Sequence, residues 1–241
     1  MRPLLPALYS LTLMTVCMPL MAQEPEEERP YEGRVALGYV GTTGNTEVTT
    51  LNTELLLTYH TDDWTHNFEL ETLTSREDGV GKAERYYIAD KSDYRLLVQD
   101  RYLYVQGSYT DDRFSGFNYQ AIVSGGLGQY FIDNEAHNLE GFVGLGYRQN
   151  DTDIDGVQGE VVITLGEDYN WQISDTSQLS QGVTFEIGDK RTITTFNIAL
   201  ESEILGQLST RIAFRLRNNS DVPVGNDKTD TLTSVSLAYS F

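Results

Sequence analysis

Two runs of alternating charge near the end of the chain contain the residues best placed to act on a solute. Three arginines fall on one side of an extended segment, and two glutamates fall on one side of the segment before it: Arg211, Arg215, Arg217, Glu201 and Glu203. Side chains of a β-strand alternate between its two faces. A short turn between the segments would bring Glu201 opposite Arg211. The pattern predicts either a charged pore lining that selects solutes or ion pairs that fill an interior.

A second acidic pair, Glu69 and Glu71, lies on the inward side of an earlier extended segment and extends the same hypothesis. Glycines form another inward feature, at positions 126, 128, 144 and 146. Because glycine has no side chain, it lets a sheet bend or lets another group approach the backbone of the sheet. We expect Phe142 to cover Gly128, and the glycines to provide curvature, a groove or room for an inward-folded loop.

Three aspartates before a glycine resemble the start of a calcium-binding loop: Asp151, Asp153 and Asp155, followed by Gly156. That loop requires an acidic residue at its end, where this chain has Val162, and Glu160 comes two residues early. These aspartates are therefore weak candidates for a divalent-cation site, shared with lipopolysaccharide phosphates. A solvated external loop is the alternative, and we predict no dedicated metal site.

Catalysis by a serine and a histidine would require a histidine beside a nucleophile. The chain has three histidines, His60, His66 and His137, and no G-x-S-x-G motif accompanies them. We interpret them as interfacial polar residues and predict that the protein is not an enzyme. No cofactor is indicated. With 17 basic and 36 acidic residues the net charge is −19, which argues against a nucleic-acid partner.

The first residues resemble a secretory signal peptide. Arg2 precedes an apolar run that ends in Leu20-Met21-Ala22, and an acidic stretch follows. We predict a signal peptide over 1–22, an acidic leader over 23–32 and one domain over 33–241. Cys17 lies inside the predicted signal, so the mature chain would contain no thiol.

The elements that must position these residues are strands. The last, T-L-T-S-V-S-L-A-Y-S-F, alternates apolar residues on one face with small, mostly hydroxylic residues on the other. Similar segments of roughly ten residues recur about twelve times. Short turns at 61–63 and 205–207 alternate with longer connections at 76–84, 150–157 and 218–228. The pattern predicts an all-β, transmembrane, antiparallel up-and-down β-barrel of about 12 strands, although it does not fix the phase near 85–100. A soluble β-sandwich or a soluble closed β-barrel shares the alternation.

Outward aromatic residues collect beside the short turns, as in the girdle of a membrane interface: Tyr59, Trp64, Phe131, Tyr169, Trp171 and Phe241. An even strand count puts both termini on one side, which we predict to be the periplasmic side of a Gram-negative outer membrane. Tyr239 and the terminal Phe241 resemble the signal by which the barrel-assembly machinery recognises its substrates. The expected partners are that machinery, outer-membrane lipids and lipopolysaccharide, and we expect a monomer.

Several segments resemble the YdiY-like family of salt-induced outer-membrane proteins. They are Thr43-Gly44-Asn45-Thr46, then D-R-F-S-G-F-N-Y from Asp112, and G-G-L-G-Q-Y-F from Gly125. The resemblance implies an envelope location and a barrel fold, and it supplies no catalytic residues. Two functional hypotheses stay open at this point: a narrow passive channel for small solutes, or a non-transporting structural or osmotic-stress barrel with a charge-paired, closed interior.

Overall fold

A computed structural model describes residues 29–42, 48–98, 100–113, 115–152 and 155–241. Within these residues, twelve β-strands form one closed antiparallel sheet in which each strand pairs with its neighbours in sequence and β1 pairs with β12. The strands are β1 Tyr31–Thr42, β2 Val48–His60, β3 Trp64–Glu77, β4 Val80–Arg95, β5 Arg101–Asp112, β6 Phe117–Asp133, β7 His137–Thr152, β8 Gly156–Ser174, β9 Ser177–Gly188, β10 Thr192–Leu205, β11 Leu208–Asn219 and β12 Thr229–Ser240. The predicted all-β up-and-down barrel is therefore confirmed.

Alternation along the strands creates an apolar outer surface and a polar interior. In β12, Val235 and Leu237 are 57% and 55% exposed, whereas Ser236 and Ala238 between and after them are 6% and 1% exposed. Comparable outward residues on other strands include Leu37, Val105, Val123, Leu145, Ile163 and Ile212. No described helix is both long and apolar enough to cross a membrane. Exposed apolar surface of this extent suits lipid contact and is unusual for water-exposed protein surface.

The barrel closes through its C-terminal residue. The Phe241 N–H donates to Gly33 O at 2.9 Å, and the Gly33 N–H donates to Phe241 O at the same distance. The Phe241 ring covers Gly33, where a Cβ would lie only 2.4 Å from the ring carbon Cζ. Tyr239, two residues earlier on the same face, stacks on Phe241 at a centroid distance of 6.4 Å. The terminal aromatic pair therefore packs over the seam between the first and last strands.

The barrel has two ends, which we name by what they contain. The terminus end holds the start of β1, the end of β12 and the connections β2–β3, β4–β5, β6–β7, β8–β9 and β10–β11. The loop end holds the other connections, of which β11–β12 spans residues 220–228. The predicted aromatic girdle lies at the terminus end, where five of its six members are at least 38% exposed: Tyr59, Trp64, Phe131, Trp171 and Phe241.

The predicted loop at 76–84 is wrong. β3 continues to Glu77 and β4 begins at Val80, so Asp78 and Gly79 alone make the turn, with φ angles of 49° and 77°. Positive φ at both central residues is the geometry that Asp-Gly favours in two-residue hairpins. The flanking residues are polar on both faces because the strands continue beyond the apolar belt. The predicted loop at 150–157 is shorter for the same reason, since β7 extends to Thr152.

Candidate functional site: the charged interior

The acidic pair of β3 and the central arginine of β11 meet across the barrel. Arg215 forms a two-point ion pair with Glu71, and Asn197 Oδ1 accepts from Arg215 Nε at 2.7 Å. Arg85 Nη1 donates to the same Glu71 carboxylate at 3.1 Å. Glu69 lies 3.7 Å from Arg215 Nη2. Because β3 and β11 are separated by three strands in the sheet, these contacts span the lumen instead of following its wall.

The structure confirms the predicted register of Glu201 opposite Arg211 but not an ion pair between them. Glu201 accepts from Arg34 Nη1 at 2.8 Å and from Ser209 Oγ at 2.6 Å. Arg211 Nε lies 3.6 Å from Glu54 Oε2, and Arg34 also donates to Glu54, at 2.7 Å. The side chains of Glu201 and Arg211 project side by side from neighbouring strands. Their charged partners, Arg34 and Glu54, therefore come from β1 and β2. Sequence reasoning missed Arg34 and Glu54. Arg34 alternates with the apolar Val35 and Leu37 of β1, and this alternation is the signal that could have placed it on the inward face.

The remaining two predicted interior residues do not join ion pairs among the described residues. Glu203 is exposed near the turn between β10 and β11. Arg217 Nη2 donates to Gln120 Oε1 at 2.8 Å, from a strand almost opposite in the barrel. The structure therefore brings Glu69, Glu71 and Arg215 together, and it brings Arg211 and Glu201 into a neighbouring network.

A buried network that sequence reasoning missed closes the loop end. Arg148 is 1% exposed and donates to Glu160 at 2.8 Å, to Glu186 at 3.1 Å and to the Arg191 carbonyl at 2.7 Å. Glu160 also accepts from the Lys190 N–H at 2.9 Å. Inward residues from five strands at this end are each at most 8% exposed: Thr110, Phe117, Gln120, Asn150, Thr152, Ile193 and Asn219. Alternation assigns Arg148 to the inward face. The predicted loop from 150 placed it near a strand end, whereas β7 continues to Thr152.

A second missed cluster surrounds an ammonium group nearer the terminus end. Lys91 Nζ lies 2.7 Å from Glu140 Oε1 and 3.6 Å from Asp93 Oδ2. Its nitrogen also lies 5.1 Å from the ring centroids of Tyr102 and Phe142. Because the sequence did not fix the phase of β4, Lys91 and Asp93 could not be assigned to the interior from the pattern alone.

Aromatic side chains fill the space that inward glycines leave. A Cβ on Gly128 would lie 2.0 Å from Tyr102 Cζ, and one on Gly144 would lie 2.3 Å from the Tyr104 hydroxyl. That hydroxyl shares a 2.8 Å hydrogen bond with Thr164. The expected cover of Gly128 by Phe142 is wrong, because Tyr102 occupies that place. The aromatic rings fill one side of the lumen with packed side chains and leave the cavity on the other.

The remaining interior space is a cavity of about 850 Å³. Its lining reaches from Glu32 and His60 at the terminus end to Glu186 and Arg215 farther inside. A separate space of about 20 Å³ lies next to Arg148 and Arg217. A cavity of this size lined by charged and polar side chains can hold water and small polar solutes.

The predicted calcium-loop aspartates are only partly described. Asp153 lies outside the described residues. Asp151 Oδ2 accepts from Asn118 Nδ2 at 3.2 Å, and the Asp155 N–H donates to Thr152 Oγ1 at 3.1 Å. No group of three metal-type ligands occurs among the described residues. The predicted signal peptide over 1–22, and the leader up to residue 28, also lie outside the described residues.

Two of the three histidines, His66 and His137, lie among aromatic rings at the terminus end, whereas His60 shares a hydrogen bond with Thr65. His137 stacks on Tyr169 and Trp171 at centroid distances of 6.0 and 5.9 Å, and His66 stacks on Trp64 at 5.8 Å. His66 Nδ1 also shares a 2.8 Å hydrogen bond with Ser92 Oγ. These contacts join His66 and His137 to the aromatic girdle.

Comparisons with known proteins agree with this architecture. The chain is 25% identical to the uncharacterized protein YdiY of Escherichia coli strain K12, over 92% of this chain and 87% of that one. An outer membrane channel from Pseudomonas putida F1 has a similar structure, with a TM-score of 0.51 at 12% identity, covering 88% of this chain and 95% of that one. The translocator domain of the autotransporter NalP from Neisseria meningitidis has a TM-score of 0.47 at 11% identity, with 90% of each chain covered.

At 12% identity the likeness to the Pseudomonas putida channel establishes the fold alone, which is a closed β-barrel. The resemblance to the YdiY-like family rests on sequence and is confirmed. A family model described as protein of unknown function, DUF481, matches residues 35–241, which include nearly the whole barrel. The chain therefore belongs to the DUF481 family.

Proposed function

We propose that this chain is a non-conducting outer-membrane barrel whose water-filled cavity opens to the periplasm and is closed toward the cell exterior. The observation that carries the proposal is the buried network around Arg148 at the loop end. A solute path needs an opening at both ends, and this end is packed with side chains that solvent does not reach. Of the two hypotheses from sequence, this geometry favours the charge-paired, closed interior.

The outer surface supports placement in a membrane. Strands of 12 to 19 residues exceed the 9–11 residues or so that a tilted strand needs to cross a bilayer. Exposed apolar residues form a belt around the barrel, and exposed aromatic residues collect at the terminus end. Aromatic girdles mark membrane–water interfaces. Lipids and lipopolysaccharide are the proposed partners of this surface, and the barrel is proposed to be monomeric.

The proposed periplasmic location of the termini rests on connection length. Four of the five connections at the terminus end have three residues or fewer, whereas β11–β12 at the loop end spans 220–228. Outer-membrane barrels have short periplasmic turns and longer external loops. No catalytic role is proposed, because His66 and His137 pack against girdle aromatics and His60 pairs with Thr65.

Conductance of the purified protein in planar bilayers tests the closed interior. We expect no steady current from the wild-type protein. The double substitution Arg148→Ala with Arg217→Ala removes the two groups that cross the loop end and should produce measurable current. Arg113→Ala, which removes an arginine that is 73% exposed outside the lumen, is the matched control and should stay silent. A steady ohmic current through the wild-type protein would contradict the proposal.

A narrow channel is the second candidate, and one observation favours it. The described groups that close the loop end are side chains, such as the Arg217–Gln120 hydrogen bond at 2.8 Å, and not an inserted strand or helix. Side chains change rotamer on a short timescale, so such a closure can open transiently. Brief, voltage-dependent openings of the wild-type protein, made longer by Gln120→Ala, would favour this candidate over a permanently closed barrel.

The C-terminal aromatic is proposed to act in assembly as well as in packing. Deletion of Phe241 removes a ring over Gly33 and two backbone hydrogen bonds of the closing strand pair. We expect it to reduce membrane-inserted protein several-fold in cells. Phe131→Ala removes a girdle ring that is 64% exposed and leaves the seam intact, so it should insert normally. Equal insertion of the deletion and wild-type proteins would contradict the assembly role.

A further inference from the structure

The environment of Lys91 is built to hold an ammonium group. Its Nζ contacts the carboxylates of Glu140 and Asp93 and lies over the faces of Tyr102 and Phe142, at 5.1 Å from both ring centroids. Carboxylates together with aromatic faces are the groups by which proteins recognise organic cations. The side chain of Lys91 thus already occupies one position in a larger cation-binding wall.

This wall contains more negative charge than Lys91 neutralises. Asp168 is the direct cross-strand partner of Glu140, and its carboxylate interacts electrostatically with both Lys91 and Glu140. Gly182 leaves room for this carboxylate, because a Cβ there would lie 2.5 Å from Asp168 Oδ1. Three carboxylates therefore share one ammonium. Like charges at short range in a poorly hydrated interior attract a second cation.

One oxygen of the cluster points to where that cation binds. Asp93 is 8% exposed and lines the cavity, yet its Oδ1 has no hydrogen-bond partner among the described residues. Buried polar atoms are almost always hydrogen-bonded, so an acceptor of this kind facing a cavity is suited to an external donor. We call Asp93, Glu140 and Asp168 the acidic corner.

A further carboxylate on the same wall is incompletely paired. Glu69 lines the cavity, and its neighbouring cation, Arg215, is engaged in the two-point pair with Glu71. Glu69 lies opposite Ala89, four residues before Asp93 on β4. At about 3.3 Å per residue the two carboxylates are separated by roughly 13 Å along the barrel. A single small cation does not span this distance, whereas an extended alkylamine with several ammonium groups does.

We propose that the cavity binds a linear polyamine, with one ammonium in the acidic corner beside Lys91 and another at Glu69. An N–H donor matches the unpaired Asp93 Oδ1, and a second ammonium pairs with the Glu69 carboxylate. A metal ion fits less well, because the described residues contain no group of three metal-type ligands. The ligand enters from the terminus end, where the cavity reaches Glu32 and His60. The inference goes beyond the proposed function and holds whether or not the barrel conducts.

Isothermal titration calorimetry of the folded, detergent-solubilised protein with spermidine tests the proposal. We expect saturable binding of one spermidine per barrel, at least about tenfold tighter than butylamine, because a second charge-assisted contact forms. Asp168→Asn should weaken spermidine binding about tenfold or more. Asp175→Asn, in the exposed turn between β8 and β9, removes the same charge outside the cavity and should bind as the wild-type protein does.

Lys91→Met separates ligand binding from a purely structural role. Loss of the internal ammonium leaves the acidic corner free for the ligand, so spermidine should bind at least several-fold tighter and should raise the midpoint of thermal unfolding more than in wild-type protein. If Asp168→Asn fails to fold, Lys91→Met still tests the site. Unchanged or weaker binding by Lys91→Met, equal binding of butylamine, or equal displacement by the same concentration of Mg²⁺ would overturn the proposal.

Discussion

Replacing Arg148 with methionine should lower the free energy of unfolding by about 3 kcal/mol. Breaking a buried ion pair by removing one partner typically costs about 3–5 kcal/mol, because the other charge stays buried without compensation. Here the loss falls at the lower limit, since Glu160 keeps the Lys190 N–H at 2.9 Å and Arg191 Nε at 3.8 Å. Glu186, whose side chain is 20% exposed, regains some hydration.

A second substitution identifies the source of that loss. In the Arg148→Met, Glu160→Gln variant no carboxylate is left buried at position 160, so stability should recover by roughly 1–2 kcal/mol relative to Arg148→Met alone. Arg113→Met is the control. It removes an ion pair of 3.2 Å whose arginine is 73% exposed, and such surface pairs contribute less than about 1 kcal/mol.

Denaturant titration of the refolded barrel in lipid vesicles, followed by tryptophan fluorescence, measures these differences if folding and unfolding curves coincide. Trp64 and Trp171 lie in the girdle and report the loss of the membrane-inserted state. If Arg148→Met and Arg113→Met differed by less than about 1 kcal/mol, the loop end would be held by packing rather than by its ion pairs. Additive effects in the double variant would contradict coupling between Arg148 and Glu160.

Two further experiments test the interior packing and the charge partners. Gly128→Ala introduces a Cβ 2.0 Å from a tyrosine ring atom and should destabilise the barrel by about 1–3 kcal/mol. Gly107→Ala is the control, because its Cβ would meet no atom nearer than 3.7 Å. It should change stability by less than about 0.5 kcal/mol in the same titration. Double-mutant cycles should give a coupling of at least about 1 kcal/mol for Arg34 with Glu201 and less than about 0.5 kcal/mol for Arg211 with Glu201. The reverse ranking would mean that strand register, and not contact across the lumen, selects the partners.

The sequence by itself determined the strands and their two faces. In β12 the alternation of apolar and small residues specified which side is exposed, because a period of two is imposed by the backbone and needs no tertiary information. The same local rule gave the register of Glu201 opposite Arg211, since a tight turn joins their strands. Alternation did not determine which face of β4 points inward, because Tyr86 and Tyr87 are both aromatic and neither face is distinctly apolar.

Only the tertiary structure decided which charges pair and which interior residues are buried. Arg215 and Glu71 are 144 residues apart in sequence, and Arg34 and Glu201 are 167 apart. Such partners are selected by the curvature of the closed sheet and the reach of long side chains across the lumen, which alternation does not encode. The burial of Arg148 likewise depends on inward residues of five strands that converge at the loop end. Local periodicity specifies the wall, whereas closure of the sheet specifies the contents of the interior.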